Sequence, residues 1–173
     1  ELLAGAQEIF ETGHNTFNVL TNSDLEYPFV EDENGEMIDT IKISSNAEKI
    51  STPGKKQVWR LTDKADGKSE GDYVALADED PREEDTLYLF HPQYTYINRT
   101  LENFTARPVL QPIFEAGKLV YELPSLQEIT EYAKANRQSL WPEYKRELNP
   151  QFYPVDLSKE CWDNKNQIIQ KVR

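Results

Sequence analysis

The sequence predicts an α+β fold: antiparallel β hairpins and meander over about residues 29–121, followed by two to three C-terminal helices over about 125–173. Three observations predict it. Hairpin-type dipeptides, Asn34-Gly35 and Asp66-Gly67, stand between short apolar runs that alternate with period two. Beyond Pro124 the apolar spacing becomes helical, behind a Ser-x-x-Glu capping box formed by Ser125 and Glu128. The chain of 173 residues is 38% hydrophobic and 11% aromatic, enough to build a core despite 29% charged residues.

Each element follows in order. Residues 2–10 read as a short apolar helix, and residues 16–20 as a strand after a break at Thr12-Gly13-His14-Asn15. The chain starts at Glu1 inside that helix, as an excised fragment would. Phe29-Val30 and Met37-Ile38 flank Asn34-Gly35 as hairpin arms, and alternation carries the second arm on through Ile43. Ser45 or Asn46 can cap a single helical turn ending near Lys49. Strands at 57–62 and 71–77 enclose the Asp66-Gly67 turn, and 86–90 is a third strand broken by His91-Pro92 before 94–97. Pro108 and Pro112 confine 107–114 to a sheet edge, and residues 115–118 turn it back. In the helical region Leu126, Ile129, Tyr132, Ala133, Asn136 and Leu140 form a stripe expected to be buried. Trp141-Pro142 restarts that helix, and Asn149-Pro150 stops it. Residues 152–155 are extended, and Asp156 or Ser158 caps a last helix held by Trp162, Ile168, Ile169 and Val172.

Charge narrows the function classes. A net charge of −12 opposes binding to nucleic acid or anionic membranes, and no apolar run approaches the roughly 20 residues of a membrane helix. The start lacks the basic and long apolar regions of a signal peptide, so a cytoplasmic location is expected and the two Asn-x-Thr sequons are read as chance. The single Cys161 excludes a disulfide framework and a cysteine-rich zinc site. No metal site is expected, because the acidic stretch 31–36 lacks the ligand spacing of a calcium loop.

Against this acidity, residues 41–60 form a basic island, with five Lys or Arg against Glu48. Lys49, Lys55 and Lys56 flank a Thr52-Pro53-Gly54 turn and are the candidate phosphate-binding residues; a solvated turn whose lysines serve solubility is the alternative. No catalytic residue is assigned. His14 has no Ser, Cys or second His nearby. The carboxylates of 78–85 share one open, proline-broken loop, where nothing would separate their pKa values for acid–base work. Tyr88, Phe90, Tyr94 and Tyr96 offer an aromatic strip, but period-two aromatics are more often half of a sheet's core.

Six blocks, in order, closely resemble the C-terminal part of bacterial nicotinate phosphoribosyltransferases: DTIKISSNAEKISTPGKKQVWR (39–60), EGDYVA (70–75), ARPVL (106–110), YELPSL (121–126), EYKR (143–146) and NPQFYPVDLS (149–158). The resemblance covers about 34–173; residues 1–33 fall outside it. It implies an enzyme of pyridine-nucleotide salvage that joins nicotinate to phosphoribosyl pyrophosphate with ATP hydrolysis and Mg²⁺. It also implies that the catalytic residues lie on a barrel portion of the same enzyme, that the intact enzyme is a homodimer, and that this region alone is inactive and binds no cofactor. Neither His14 nor His91 sits in a context matching the family's phosphorylated histidine. The rival readings are a stand-alone acidic interaction module, using the Tyr88–Tyr96 strip or the basic island, and a hydrolase using the acidic loop.

Overall fold

The computed structural model describes residues 29–31, 37–94 and 96–171. In chain order the strands are β1 (Phe29–Glu31), β2 (Met37–Asp39), β3 (Lys56–Asp63), β4 (Ser69–Leu76), β5 (Thr86–Phe90), β6 (Asn98–Glu102), β7 (Phe104–Pro108), β8 (Phe114–Glu115), β9 (Lys118–Leu119) and β10 (Val155–Leu157). The helices are α1 (Leu126–Ser139), α2 (Pro142–Lys145) and α3 (Lys159–Lys171). The chain divides into two compact units, 1–55 with 163–173, and 56–162. The predicted helix at 2–10, the strand at 16–20 and His14 lie outside the described residues.

In the first unit β1 and β2 pair antiparallel from Phe29↔Asp39 to Glu31↔Met37, on either side of Asn34-Gly35 as that dipeptide requires. The second strand ends at Asp39 instead of running through Ile43. The chain beyond it folds on itself: the Lys42 N–H donates to Ser51 Oγ at 2.8 Å and the Ser51 N–H returns to the Lys42 carbonyl at 3.3 Å. Inside that loop Asn46, not Ser45, caps the one-turn helix Ala47–Lys49, its Oδ1 accepting the Glu48 N–H at 3.0 Å. The later turns of α3 belong to this unit, where Ile168 is buried and Asn164 Nδ2 donates to Asp39 Oδ2 at 2.8 Å.

The second unit is a six-stranded sheet in the order β6-β5-β10-β4-β3-β7. Alternation explains its core: on β4 Ser69, Gly71, Tyr73 and Ala75 are buried, while their neighbours are half-exposed. Trp59 and Leu61 from β3, Leu87 and Leu89 from β5, and Phe104 from β7 complete one apolar cluster with Tyr73 and Ala75. The β3–β4–β7 and β5–β6 groups are antiparallel, as expected. β10 is not: it pairs parallel with β4 (Val155↔Asp72, Leu157↔Val74) and antiparallel with β5 (Leu157↔Phe90), making the sheet mixed. Three residues are too few to carry a periodic signal, so the sequence showed an extended segment without a partner.

The strand after His91 also begins later than predicted, at Asn98. His91 Nδ1 accepts the N–H groups of Gln93 and Tyr94 at 3.2 and 3.1 Å, which turns the chain first. Tyr88, Tyr94 and Tyr96 are 59%, 50% and 78% exposed, so the aromatic strip is not half of the core; Leu87 and Leu89 take that role. β7 is an edge strand ending at Pro108, in keeping with its prolines. Ala116 and Gly117, both with positive φ (45° and 75°), make the two-residue turn between β8 and β9.

The capping box of α1 forms: Ser125 Oγ accepts the Glu128 N–H at 3.3 Å and Glu128 Oε2 accepts the Ser125 N–H at 2.7 Å. Its apolar stripe does not behave as predicted. No residue of α1 is buried, and Leu126, Ile129 and Tyr132 are 80%, 49% and 58% exposed. The helix is tied to its own unit by polar contacts instead. Arg60 Nη1 donates to Asn136 Oδ1 at 3.1 Å, Arg107 Nη2 to the Tyr132 hydroxyl at 3.2 Å, and Lys68 Nζ to the Gln138 carbonyl at 3.0 Å.

Two substitutions probe this sheet. Leu89, fully buried in the apolar cluster, should cost about 2–5 kcal/mol when cut back to alanine. Gly71 has φ 147° and lies where a Cβ would meet the Pro154 carbonyl at 3.0 Å. Gly71→Ala should therefore cost roughly 1–3 kcal/mol through backbone strain, although no side chain is lost. Urea denaturation reads both, and an unchanged midpoint for either would contradict the packing described.

Candidate functional site

The three lysines stand in three consecutive backbone contexts. Lys49 ends the one-turn helix, Lys55 lies in the exposed connecting segment, and Lys56 opens β3 opposite Leu76. The turn between Lys49 and Lys55 is fixed by a buried Pro53 and by Gly54 at φ 92°. Sequence adjacency is what groups these cations; the geometry assigns them no ligand.

The acidic stretch after β4 is better built than an open loop. Asp80 accepts the Arg82 N–H at 3.0 Å and caps the one-turn helix Pro81–Glu83, whose Pro81 is buried. Both Asp80 oxygens also accept from the Arg82 guanidinium, which lies 5.1 Å over the Trp59 ring. The Arg82 hydrogen bonds hold Asp80 down at about 2. One residue earlier, Glu79 Oε2 accepts from the Ser158 hydroxyl at 2.7 Å and from the Leu76 N–H. Burial pushes the Glu79 carboxyl above its ordinary value; the Ser158 and Leu76 hydrogen bonds oppose that shift, and the neighbouring Glu160 adds to it. Tyr73 is likewise held up, by burial first and then by the charges of Glu79 and Glu160. Tyr73, Glu79, Asp80 and Glu160 line a cleft of about 550 Å³, together with Tyr88 and Lys159.

A raised carboxyl beside a lowered one is the pattern of an acid–base pair, and it is not legible in the sequence because one of Glu79's partners, Ser158, lies nearly eighty residues away. Both groups are nevertheless committed to the chain itself. Ser158 Oγ accepts the Cys161 N–H at 3.0 Å, so Glu79 fastens the end of β4 to the cap of α3. Ser158, and not Asp156, is that cap. Asp156 lies in β10, where Arg99 Nε reaches it at 3.3 Å.

Arg60 is spent in the same way. Arg60 forms a two-point bond to Asp72 at 2.9 and 3.1 Å and lies 5.8 Å over the Tyr153 ring, whose hydroxyl donates to Asp72 at 3.2 Å. The Asp72 hydrogen bond raises the Arg60 pKa further, so it stays charged throughout the accessible pH range. Among the described residues no group of three or more His, Cys, Asp or Glu is placed to hold a metal ion. No helix among them is long and apolar enough to cross a membrane.

Linkage gives Glu79 and Asp80 opposite signatures. Glu79 is raised in the folded state, so its contribution is fully present below its ordinary value of 4.5 and is lost as pH rises past it. Asp80 is lowered, so its contribution is present above 3.8 and is lost as pH falls toward about 2. Glu79→Gln should therefore melt increasingly above the wild type as pH climbs from 4 to 8. A flat difference across that range would show that Glu79 is not held out of water.

Residues 55–165 match a family model described as the nicotinate phosphoribosyltransferase C-terminal domain. The chain is 47% identical over 142 residues to nicotinate phosphoribosyltransferase of Bacillus subtilis (strain 168), covering 82% of this chain and 29% of that protein. It is 31% identical over 125 residues to the Caenorhabditis elegans protein of the same name, covering 70% of this chain and 22% of that one. The crystal structure of human nicotinic acid phosphoribosyltransferase superposes with a TM-score of 0.62 at 28% identity, over 69% of this chain and 24% of the human chain. The chain thus spans less than a third of the length of the curated relatives it matches.

Proposed function

The chain belongs to the nicotinate phosphoribosyltransferase C-terminal domain family, and from that premise we propose that residues 34–173 are the non-catalytic C-terminal portion of such an enzyme. The intact enzyme would join nicotinate to phosphoribosyl pyrophosphate, release pyrophosphate and use ATP with Mg²⁺, serving NAD salvage in the cytoplasm as a homodimer. The family match carries this reading, because it runs from the start of β3 into α3 and so spans the whole six-stranded sheet. The side chains agree with it. Arg60, Arg82, Arg99, Glu79 and Asp72 are all spent on partners within the fold, which suits a supporting part better than a reaction centre.

Within this reading, Lys49, Lys55 and Lys56 border the phosphate pocket of the intact enzyme. What supports this is their clustering as cations in an otherwise acidic chain, at a turn stiffened by Pro53. A charged hydrogen bond to phosphate contributes about 1.5–3 kcal/mol. Lys55→Ala and Lys56→Ala in the full-length enzyme should then raise KM for phosphoribosyl pyrophosphate roughly 10- to 100-fold and leave KM for nicotinate unchanged. Steady-state kinetics decide it: an unaltered phosphoribosyl pyrophosphate KM in both variants makes these lysines ordinary surface.

A further inference from the structure

The stripe of α1 and the hairpin before it have no counterpart in their own unit. Phe114 and Leu119 at the β8–β9 turn, Leu123, and Leu126 and Ile129 on the first turns of α1 are 66%, 52%, 72%, 80% and 49% exposed. They come from one run of sixteen or so residues that follows edge strand β7. The sheet holds only the later part of α1, through the Tyr132, Asn136 and Gln138 contacts. A helix of 14 residues draws most of its stability from packing an apolar face, and a capping box replaces little of that.

Two observations say what covers the face. The first is size. Relatives carry this domain in chains of which it is 29% and 24%, so far more polypeptide than the domain itself lies beside it there. The second is charge. Residues 113–129 hold Glu115, Glu122 and Glu128 against Lys118 alone. Two copies meeting through this patch would set like charges against each other, whereas an apolar surface with a basic rim would complement it.

We infer that the β8–β9 hairpin and the first two turns of α1 are the surface by which this domain docks on the catalytic portion of the same polypeptide, at an apolar patch rimmed by Lys or Arg. This rests on the proposed function for the existence of that portion.

The test places the photo-reactive residue p-benzoylphenylalanine at Leu126 or Ile129 of the full-length enzyme, with Glu131 on the opposite face of α1 as a control. Both apolar positions are exposed, so the substitution leaves the domain's own packing untouched. Illumination should give a cross-linked product of single-chain mass, with the label joined to a peptide outside this domain, and no product from Glu131. A product of twice the chain mass would put a second copy on the face and overturn the inference. So would labelling from Glu131 equal to that from Ile129, or no cross-link from either apolar position. Nicotinate turnover by the same full-length protein is measured separately. An active enzyme without the intramolecular cross-link overturns only the docking face, and an inactive one that cross-links as expected overturns only the functional assignment.

Discussion

A three-residue strand holds the sheet together. Without β10 the β5–β6 hairpin has no bonded neighbour in the β3–β4–β7 group, because the sheet order places β10 alone between β5 and β4. Its backbone is fastened on both flanks of the strand: the Asp72 N–H donates to the Pro154 carbonyl at 3.0 Å, and the Ser158 N–H donates to the Val74 carbonyl at 2.8 Å. Placing β10 there brings Asp156 to 7% exposure, and a buried carboxylate without a partner is costly. Arg99 supplies that partner from β6 and also donates to the Glu70 carbonyl at 3.0 Å, so one guanidinium links both sides of the inserted strand. Gly71 is the complementary concession. It removes the Cβ that would collide with Pro154 and with the same arginine.

The insertion also explains the polar contacts gathered around β10. Residues 153–158 arrive late in the chain and meet strands already rich in polar atoms, so each contact needs a matched donor and acceptor. The Tyr153 hydroxyl donates to Asp72 and is hydrogen-bonded to Ser69, the Arg60 guanidinium lies over its ring, and the Ser158 hydroxyl donates to Glu79. These are local solutions to the burial of polar backbone and side chains. At neighbouring positions, burial raises Glu79 against the pull of the Ser158 hydrogen bond, and the Arg82 hydrogen bonds lower Asp80.

What could be read in advance was whatever depends on near neighbours in sequence. Asn34-Gly35 flanks a real strand pair, Ser125 and Glu128 close their capping box, residues 86–90 form a strand, and Trp141-Pro142 separates two helices. The six blocks shared with the phosphoribosyltransferases were also legible, because order and spacing over more than a hundred residues are specific where single motifs are not. Hidden were the features decided by distant residues: the partner of β10, the half-burial of Glu79, and the outward face of the tyrosine strip. A period-two pair such as Tyr88 and Phe90 satisfies either face of a sheet, and only the filled cluster around Leu87 and Leu89 assigns Tyr88 to solvent, while Tyr94 and Tyr96 lie between β5 and β6. The lysines of the basic island are a pattern of charge in the sequence.

The stripe of α1 is the instructive failure. Helical periodicity showed correctly that a face of this helix is apolar, but periodicity cannot say whether the covering surface belongs to the same domain. Here the core closes without it. The cluster from Trp59 to Phe104 is complete among β3, β4, β5 and β7, so covering α1 is not a condition of folding the sheet. Until that face is covered, the helix is held mainly by Arg60, Arg107 and Lys68 at its later turns, to which the Ser125–Glu128 capping box adds a little. A domain built in this way can form first and dock second. Its apolar face, held in helical shape beforehand, then loses little conformational entropy when it meets its partner.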